Sequence, residues 1–126
     1  MVRPLEKAKD KRNFLKKEIE MIYELKKYTA NAGKAEALKQ RFEAETMPIF
    51  ERLGIEVVHC WTEPGAPDVF YYLTRFPSAE ARDAALQAFG ADPQWKAAKT
   101  ASERDGPLLG SQTTVTLIPT GFSPND

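Results

Sequence analysis

The chain has 126 residues, one domain by length and enough to bury a core without covalent staples. Its 18 basic and 18 acidic residues cancel, and its single cysteine excludes an internal disulfide and a cysteine-rich zinc site. No apolar run reaches spanning length and no charged-then-apolar signal segment opens the chain, so a cytoplasmic protein with no membrane or nucleic-acid partner is expected.

Residues 1–20 hold seven basic side chains (Arg3, Lys7, Lys9, Lys11, Arg12, Lys16, Lys17) against four acidic ones (Glu6, Asp10, Glu18, Glu20). A basic arm can serve as a surface-binding tail, but here the acids interleave with the bases and only Phe14 is aromatic, which reads as a solvated extension. A third reading takes Met21 as the natural start, because "KKEIEM" can be encoded by a purine-rich message that spells a ribosome-binding sequence just upstream. The intact mass of protein made from its native gene region decides between Met1 and Met21.

From Met21 the pattern is clean. "MIYELKKYT" alternates, with Met21, Tyr23 and Leu25 on one side and Glu24, Lys26 and Tyr28 on the other, and predicts a strand. Gly33 ends a loop, and apolar residues from Ala35 to Leu53 at near-helical spacing predict a helix kinked or restarted at Pro48 and ended by Gly54. Ile55 to Thr62 predicts a second strand and Val69 to Phe76 a third, joined by a hairpin connection from Glu63 to Asp68. Ser78 caps a helix that Gly90 should stop after Phe89, and Asp92-Pro93 opens another that ends near Asp105-Gly106-Pro107. "SQTTVTLIP" is the last strand, with Val115 and Leu117 facing one way.

The order β-α-β-β-α-α-β is a split βαβ pattern with an extra helix, an α+β class ferredoxin-like sandwich with an antiparallel sheet. Helices cover one face of such a sheet. The other face, for which Ile22, Tyr28, Val57, Trp61, Tyr71, Leu73 and Ile118 are the candidates, is too apolar for water and calls for a two-fold homodimer packed sheet to sheet. The domain is expected over residues 21–119, with 1–20 an extension and 120–126 a tail.

"IYELKKYT" with the following "AGK", Trp61, "YYLTRF" ahead of the Ser-capped helix with Ala81-Arg82, and "ADPQW" at Ala91 to Trp95 together resemble the NIPSNAP family of the dimeric α/β-barrel superfamily. The resemblance covers Met21 to about Pro119. It implies a ferredoxin-like subunit, two copies of which form a barrel with a cavity. In the wider superfamily such cavities hold small organic molecules, and some members carry out cofactor-independent chemistry. By the same resemblance Glu24 and Tyr28 stand where the family's Glu-Leu-Arg-x-Tyr pattern has its Glu and Tyr. The pattern's arginine is Lys26 here, which keeps the charge and loses the planar fork. Trp61, Arg75 and Asp92-Pro93-Gln94-Trp95 also match, whereas His59 falls where many relatives have a small residue.

The only histidine, cysteine and one tryptophan stand together in "VVHCWTE". In a strand His59 and Trp61 share a face and Cys60 takes the other, so a Cys-His catalytic pair from these neighbours is disfavoured and Cys60 is expected to pack under the helices. His59 is the candidate general base or acid if its face lines the cavity, and otherwise a hydrogen-bonded histidine at a sheet edge. Trp61, Tyr28, Glu24 and Arg75 are the ligand-binding candidates. Arg75 either pairs with Glu24 or takes a substrate carboxylate while Glu24 and Lys26 hold one another. Trp95 either anchors its helix or closes one mouth of the cavity. With no phosphate loop, nucleophile elbow or metal motif, no cofactor or metal is expected. The leading reading is small-molecule binding with cofactor-free proton-transfer or oxygenase-type chemistry. The alternative is a non-catalytic protein-interaction module.

Overall fold

The computed structural model describes residues 21–124. The readings of residues 1–20 as a basic arm, or as a leader ahead of Met21, lie outside the described residues. The first strand, β1, spans Ile22–Ala30. The first helix, α1, runs over Ala35–Arg41, widens into a π turn over Phe42–Thr46 and resumes over Met47–Arg52. The irregularity expected at Pro48 is this turn. Pro48 has no N–H for the Ala44 carbonyl and its ring crowds that oxygen, so the chain takes up the mismatch one turn earlier. The helix ends as the glycine predicted: Gly54 has φ +79, its N–H donates to Glu51 and the Ile55 N–H donates 2.8 Å to the Phe50 carbonyl, a Schellman closure.

Strands β2 (Glu56–Glu63) and β3 (Ala66–Phe76) form a hairpin tighter than the six-residue connection expected. Pro64 and Gly65 alone make the turn, with Gly65 at φ +80 as a type II turn requires. Helix α2 covers Ala79–Ala91, and the Ser78 hydroxyl accepts from the Ala81 N–H at 3.0 Å. Gly90 does not stop it. The helix ends at Asp92, which Pro93 pushes out of the helical region to ψ 124. Helix α3 covers Pro93–Ser102, and the last strand, β4, covers Leu109–Leu117.

The strands form one antiparallel sheet in the order β2-β3-β1-β4, the arrangement of the predicted ferredoxin-like α+β fold. Between the sheet and the helices the core gathers Leu38, Phe42 and Phe50 of α1 with Phe70, Tyr72 and Phe76 of β3. Its rings meet edge to face, as for Phe42 and Phe50 at 6.1 Å and 90°, or tilted, as for Phe42 and Tyr72 at 4.5 Å and 42°. Among the described residues no helix is long and apolar enough to cross a membrane.

The register corrects three assignments to the uncovered face. Ile22 lies opposite Phe76 and Tyr28 opposite Phe70, so both point to the helices. Val57 lies opposite Thr74, also on the helix side. In β2 the cause is a bulge: Val57 pairs with Thr74 and His59 with Leu73, which leaves Val58 as the extra residue and reverses every side chain after it. His59 and Trp61 therefore share the uncovered face with Leu73 and Tyr71, as expected of them. In β1 the cause is chemical, since the buried row carries a carboxylate and an amine that find partners there. The residues that occupy the uncovered face instead are Tyr23 and Leu25, flanked by Leu117 and Val115 of β4.

Candidate ligand-binding site

A pocket of about 380 Å³ lies between α1, α3 and the β1–β4 half of the sheet, within the roughly 300–1,000 Å³ range of small-molecule clefts. It exists because the helices cover β3 and β1 but stop short of β4, whose residues beyond Leu109 are exposed on both faces. Asp92 sets its outer wall. The carboxylate of Asp92 accepts from the Trp95 N–H at 3.0 Å and from Arg52 at 2.8 Å, and Pro93 starts the helix. The Arg52 bond holds the Asp92 carboxyl below its ordinary value. Trp95 is thereby fixed in the first turn of α3 and stacks on Phe89 at 4.7 Å and 29°. Trp95 thus anchors its helix, the first of the two roles weighed for it, and also walls this pocket.

At the floor the Tyr28 hydroxyl lies 2.7 Å from that of Tyr72. Tyr72 is sealed in the core, whereas Tyr28 also lines the pocket. Burial pushes both phenols above their ordinary value, for Tyr72 with help from the neighbouring Tyr28 hydroxyl and Glu24 carboxylate. Tyr28 therefore stays protonated at neutral pH and acts as a hydrogen-bonding group, not a base. Gln112 of β4, opposite Tyr28, adds a side-chain amide to the lining.

The pocket's charge sits at Arg41. Its Nη1 donates to Glu103 at 2.9 Å and to the Ser102 hydroxyl at 3.1 Å, and its guanidinium lies 5.0 Å from the Trp95 ring centroid. Burial works to raise the Glu103 carboxyl, but the Arg41 bond and the nearby Lys99 outweigh it and hold Glu103 below its ordinary value. Lys99 approaches Glu103 to 3.4 Å, so one carboxylate serves two cations.

The fold divides the five sequence candidates between two faces. Glu24 and Tyr28 are on the helix side, and only Tyr28 reaches the pocket. Glu24 is 5% exposed, with one oxygen 3.5 Å from Arg82 and the other 3.9 Å from Lys26. The second oxygen accepts no hydrogen bond among the described residues. The structural pair expected between Arg75 and Glu24 is not formed. Arg75 points to the uncovered face and grips Glu56 bidentately, at 3.0 and 2.7 Å, with Tyr23 at 3.4 Å, because β3 aligns Arg75 with Glu56 and turns Glu24 away. Glu56 holds its guanidinium still more firmly protonated. His59 and Trp61 lie exposed on that face with ring centroids 5.5 Å apart. Cys60 takes the helix-side direction expected of it. On the outermost strand, however, it is exposed rather than packed under a helix.

Arg41, Phe89, Glu103 and Gln112 were not singled out from sequence. Arg41 left a signal: it stands between Leu38 and Phe42 on the apolar stripe of α1, where an arginine is out of place unless something pairs with it. Among the described residues no group of three or more His, Cys, Asp or Glu side chains is placed to hold a metal ion.

Comparison with known proteins gives one family. The sequence model named NIPSNAP matches residues 23–124. No curated protein matches the chain. Among solved structures, an uncharacterised NIPSNAP-like domain protein from Burkholderia xenovorans is similar at 24% identity and a TM-score of 0.71, covering 84% of this chain and 90% of that one. A NIPSNAP family protein of unknown function from Agrobacterium tumefaciens is similar at 27% identity and 0.68, covering 82% and 92%. A proposed antibiotic-biosynthesis monooxygenase from Chloroflexus aurantiacus, at 23% identity and 0.55 over 80% and 94%, shares the fold.

Proposed function

The chain belongs to the NIPSNAP family, and from that premise we propose that it works as a homodimer whose subunits each bind one small, largely apolar organic molecule between helices and sheet. The observation that carries the reading is the pocket of about 380 Å³, walled by Phe42, Phe89 and Trp95 and floored by the Tyr28 hydroxyl. Aromatic walls supply apolar contact area, and a protonated phenol at the floor offers one oriented hydrogen bond to a carbonyl or hydroxyl of the ligand.

The dimer is supported by the uncovered sheet face, where Trp61, Val115 and Leu117 stand 45%, 48% and 42% exposed and Leu25 is half-buried. A contiguous apolar face of that kind is stable in water when it is covered, and a second copy related by a two-fold axis covers it with the same residues. Pairing sheet to sheet encloses His59, Trp61 and Arg75 between the subunits. His59 is then the candidate general acid or base, with Trp61 as a platform beside it. Proton-transfer or oxygenase-type chemistry without a cofactor is the catalytic form of this proposal. The monooxygenase named among the structural relatives supports it at the level of fold alone.

Native mass spectrometry of the untagged protein tests the reading. A dimer that carries additional small-molecule mass, and that becomes a monomer still carrying that mass on Leu117→Lys, is the expected result. A wild-type monomer removes the dimer and the site between the sheets. A dimer without ligand that shows no shift against a library of small aromatic compounds favours the protein-interaction alternative, in which the outer helical surface recruits a partner.

A further inference from the structure

The pocket's polar end is built for a carboxylate. Both hydrogen bonds of Arg41 use Nη1, so its Nε–H and Nη2–H groups have no partner among the described residues. Neither is a fully buried orphan, and Arg41 lines the pocket. The Nε/Nη2 edge of a guanidinium is one of the two that match the two oxygens of a carboxylate. Its orientation is fixed twice over, by Glu103 at 2.9 Å on the opposite side and by the Trp95 face at 5.0 Å.

Charge and shape agree with that edge. Arg41 and Lys99 share the single carboxylate of Glu103, which leaves the pocket lining one positive charge in excess. A guanidinium 7% exposed is poorly hydrated and gains more from an anion than a surface arginine would. The walls next to it are aromatic: the near-parallel Phe89–Trp95 stack on one side and the edge-to-face pair of Tyr28 and Phe42, 6.4 Å apart at 84°, on the other.

We infer that the molecule bound in this pocket is a planar aromatic carboxylate, with its carboxylate on the Nε/Nη2 edge of Arg41 and its ring against Trp95. The inference rests on the binding role proposed above and names the class of ligand for that site.

Isothermal titration of the full chain with 2-naphthoate and with its neutral isostere 2-naphthamide tests it, alongside Arg41→Lys and Arg41→Met. The expected result is naphthoate binding at least tenfold tighter than naphthamide, with the preference falling at least fivefold in Arg41→Lys, which keeps the charge and loses the fork. Circular dichroism confirms that each variant is folded. Should Arg41→Met fail to fold, Arg41→Lys and the comparison of the two probes on the wild-type chain still decide. Equal affinity for both probes overturns the carboxylate assignment while leaving the pocket as a binding site. A preference that survives in Arg41→Lys and in folded Arg41→Met overturns the assignment to Arg41. Binding of neither probe at millimolar concentration overturns the pocket reading and this inference together.

Discussion

The Tyr28–Tyr72 hydroxyl pair gives the sharpest test, because its two ends sit in different surroundings. Tyr72 is 2% exposed and surrounded by Phe42, Phe50 and Phe70, whereas Tyr28 borders the pocket. In Tyr28→Phe the Tyr72 hydroxyl is left in the core without its 2.7 Å partner, at a cost to stability of about 2 kcal/mol, within the penalty for an orphaned buried group. In Tyr72→Phe the Tyr28 hydroxyl turns to water or ligand in the pocket, and only the net worth of one hydrogen bond is lost, about 1 kcal/mol. The double variant removes both polar groups together and costs less than the sum, giving a coupling of about 1–2 kcal/mol. Urea unfolding followed by circular dichroism reads all four proteins at one fixed chain concentration, since self-association would make the midpoint depend on it. A Tyr72→Phe cost equal to or above that of Tyr28→Phe would refute the asymmetry of burial. Coupling below about 0.5 kcal/mol would refute the pair as an interacting unit.

Three further outcomes are expected. Ser78→Ala removes the acceptor of the Ala81 N–H and lowers stability by about 1 kcal/mol, while Ser78→Asp retains the cap, as urea midpoints will show. Gly110→Ala would place a methyl group 2.7 Å from the Asn31 side-chain oxygen and 3.2 Å from the Thr29 carbonyl, displacing the side chain whose amide donates to Pro107. A lower thermal midpoint and exchange broadening at Asn31 by NMR are expected, and an unchanged midpoint would contradict the close approach. Stability should be flat at intermediate pH and fall on both sides. Glu103 and Asp92 have depressed carboxyls, so their contribution is lost as pH drops below about 4.5 and 3.8. Tyr28 and Tyr72 have raised phenols, so theirs is lost as pH climbs above about 10, where the unfolded chain ionises first. Glu103→Gln should flatten the acid limb, and an unchanged limb would remove Glu103 from that account.

Local signals determined the elements. The caps at Ser78 and Asp92, the closure at Gly54 and the alternation of β1 are each decided by a few adjacent residues, and each stands where the sequence places it. Their order sufficed for the ferredoxin-like fold, because few topologies bury four strands and three helices in that succession. One local signal misled. Gly90 can end a helix but need not, and the restriction imposed by Pro93 on Asp92 was the stronger.

Which face of each strand is buried was a different matter. Alternation says that Glu24 and Tyr28 share a side, yet not which side, since a buried carboxylate is tolerated only where Arg82 comes from α2 to join its strand neighbour Lys26. One extra residue at Val58 turned His59 and Trp61 away from the direction of Val57, because a period of two reverses at any single insertion. The site followed the same rule. Tyr28 was legible from its strand and Trp95 from its cap, but the Arg41–Glu103 pair joins residues 62 positions apart and the Tyr28–Tyr72 pair residues 44 apart. The sequence by itself determined the elements, their order and the chemistry each could carry. Only the tertiary structure decided which side chains meet, because contact between distant residues depends on register and helix placement, which no local interaction sets.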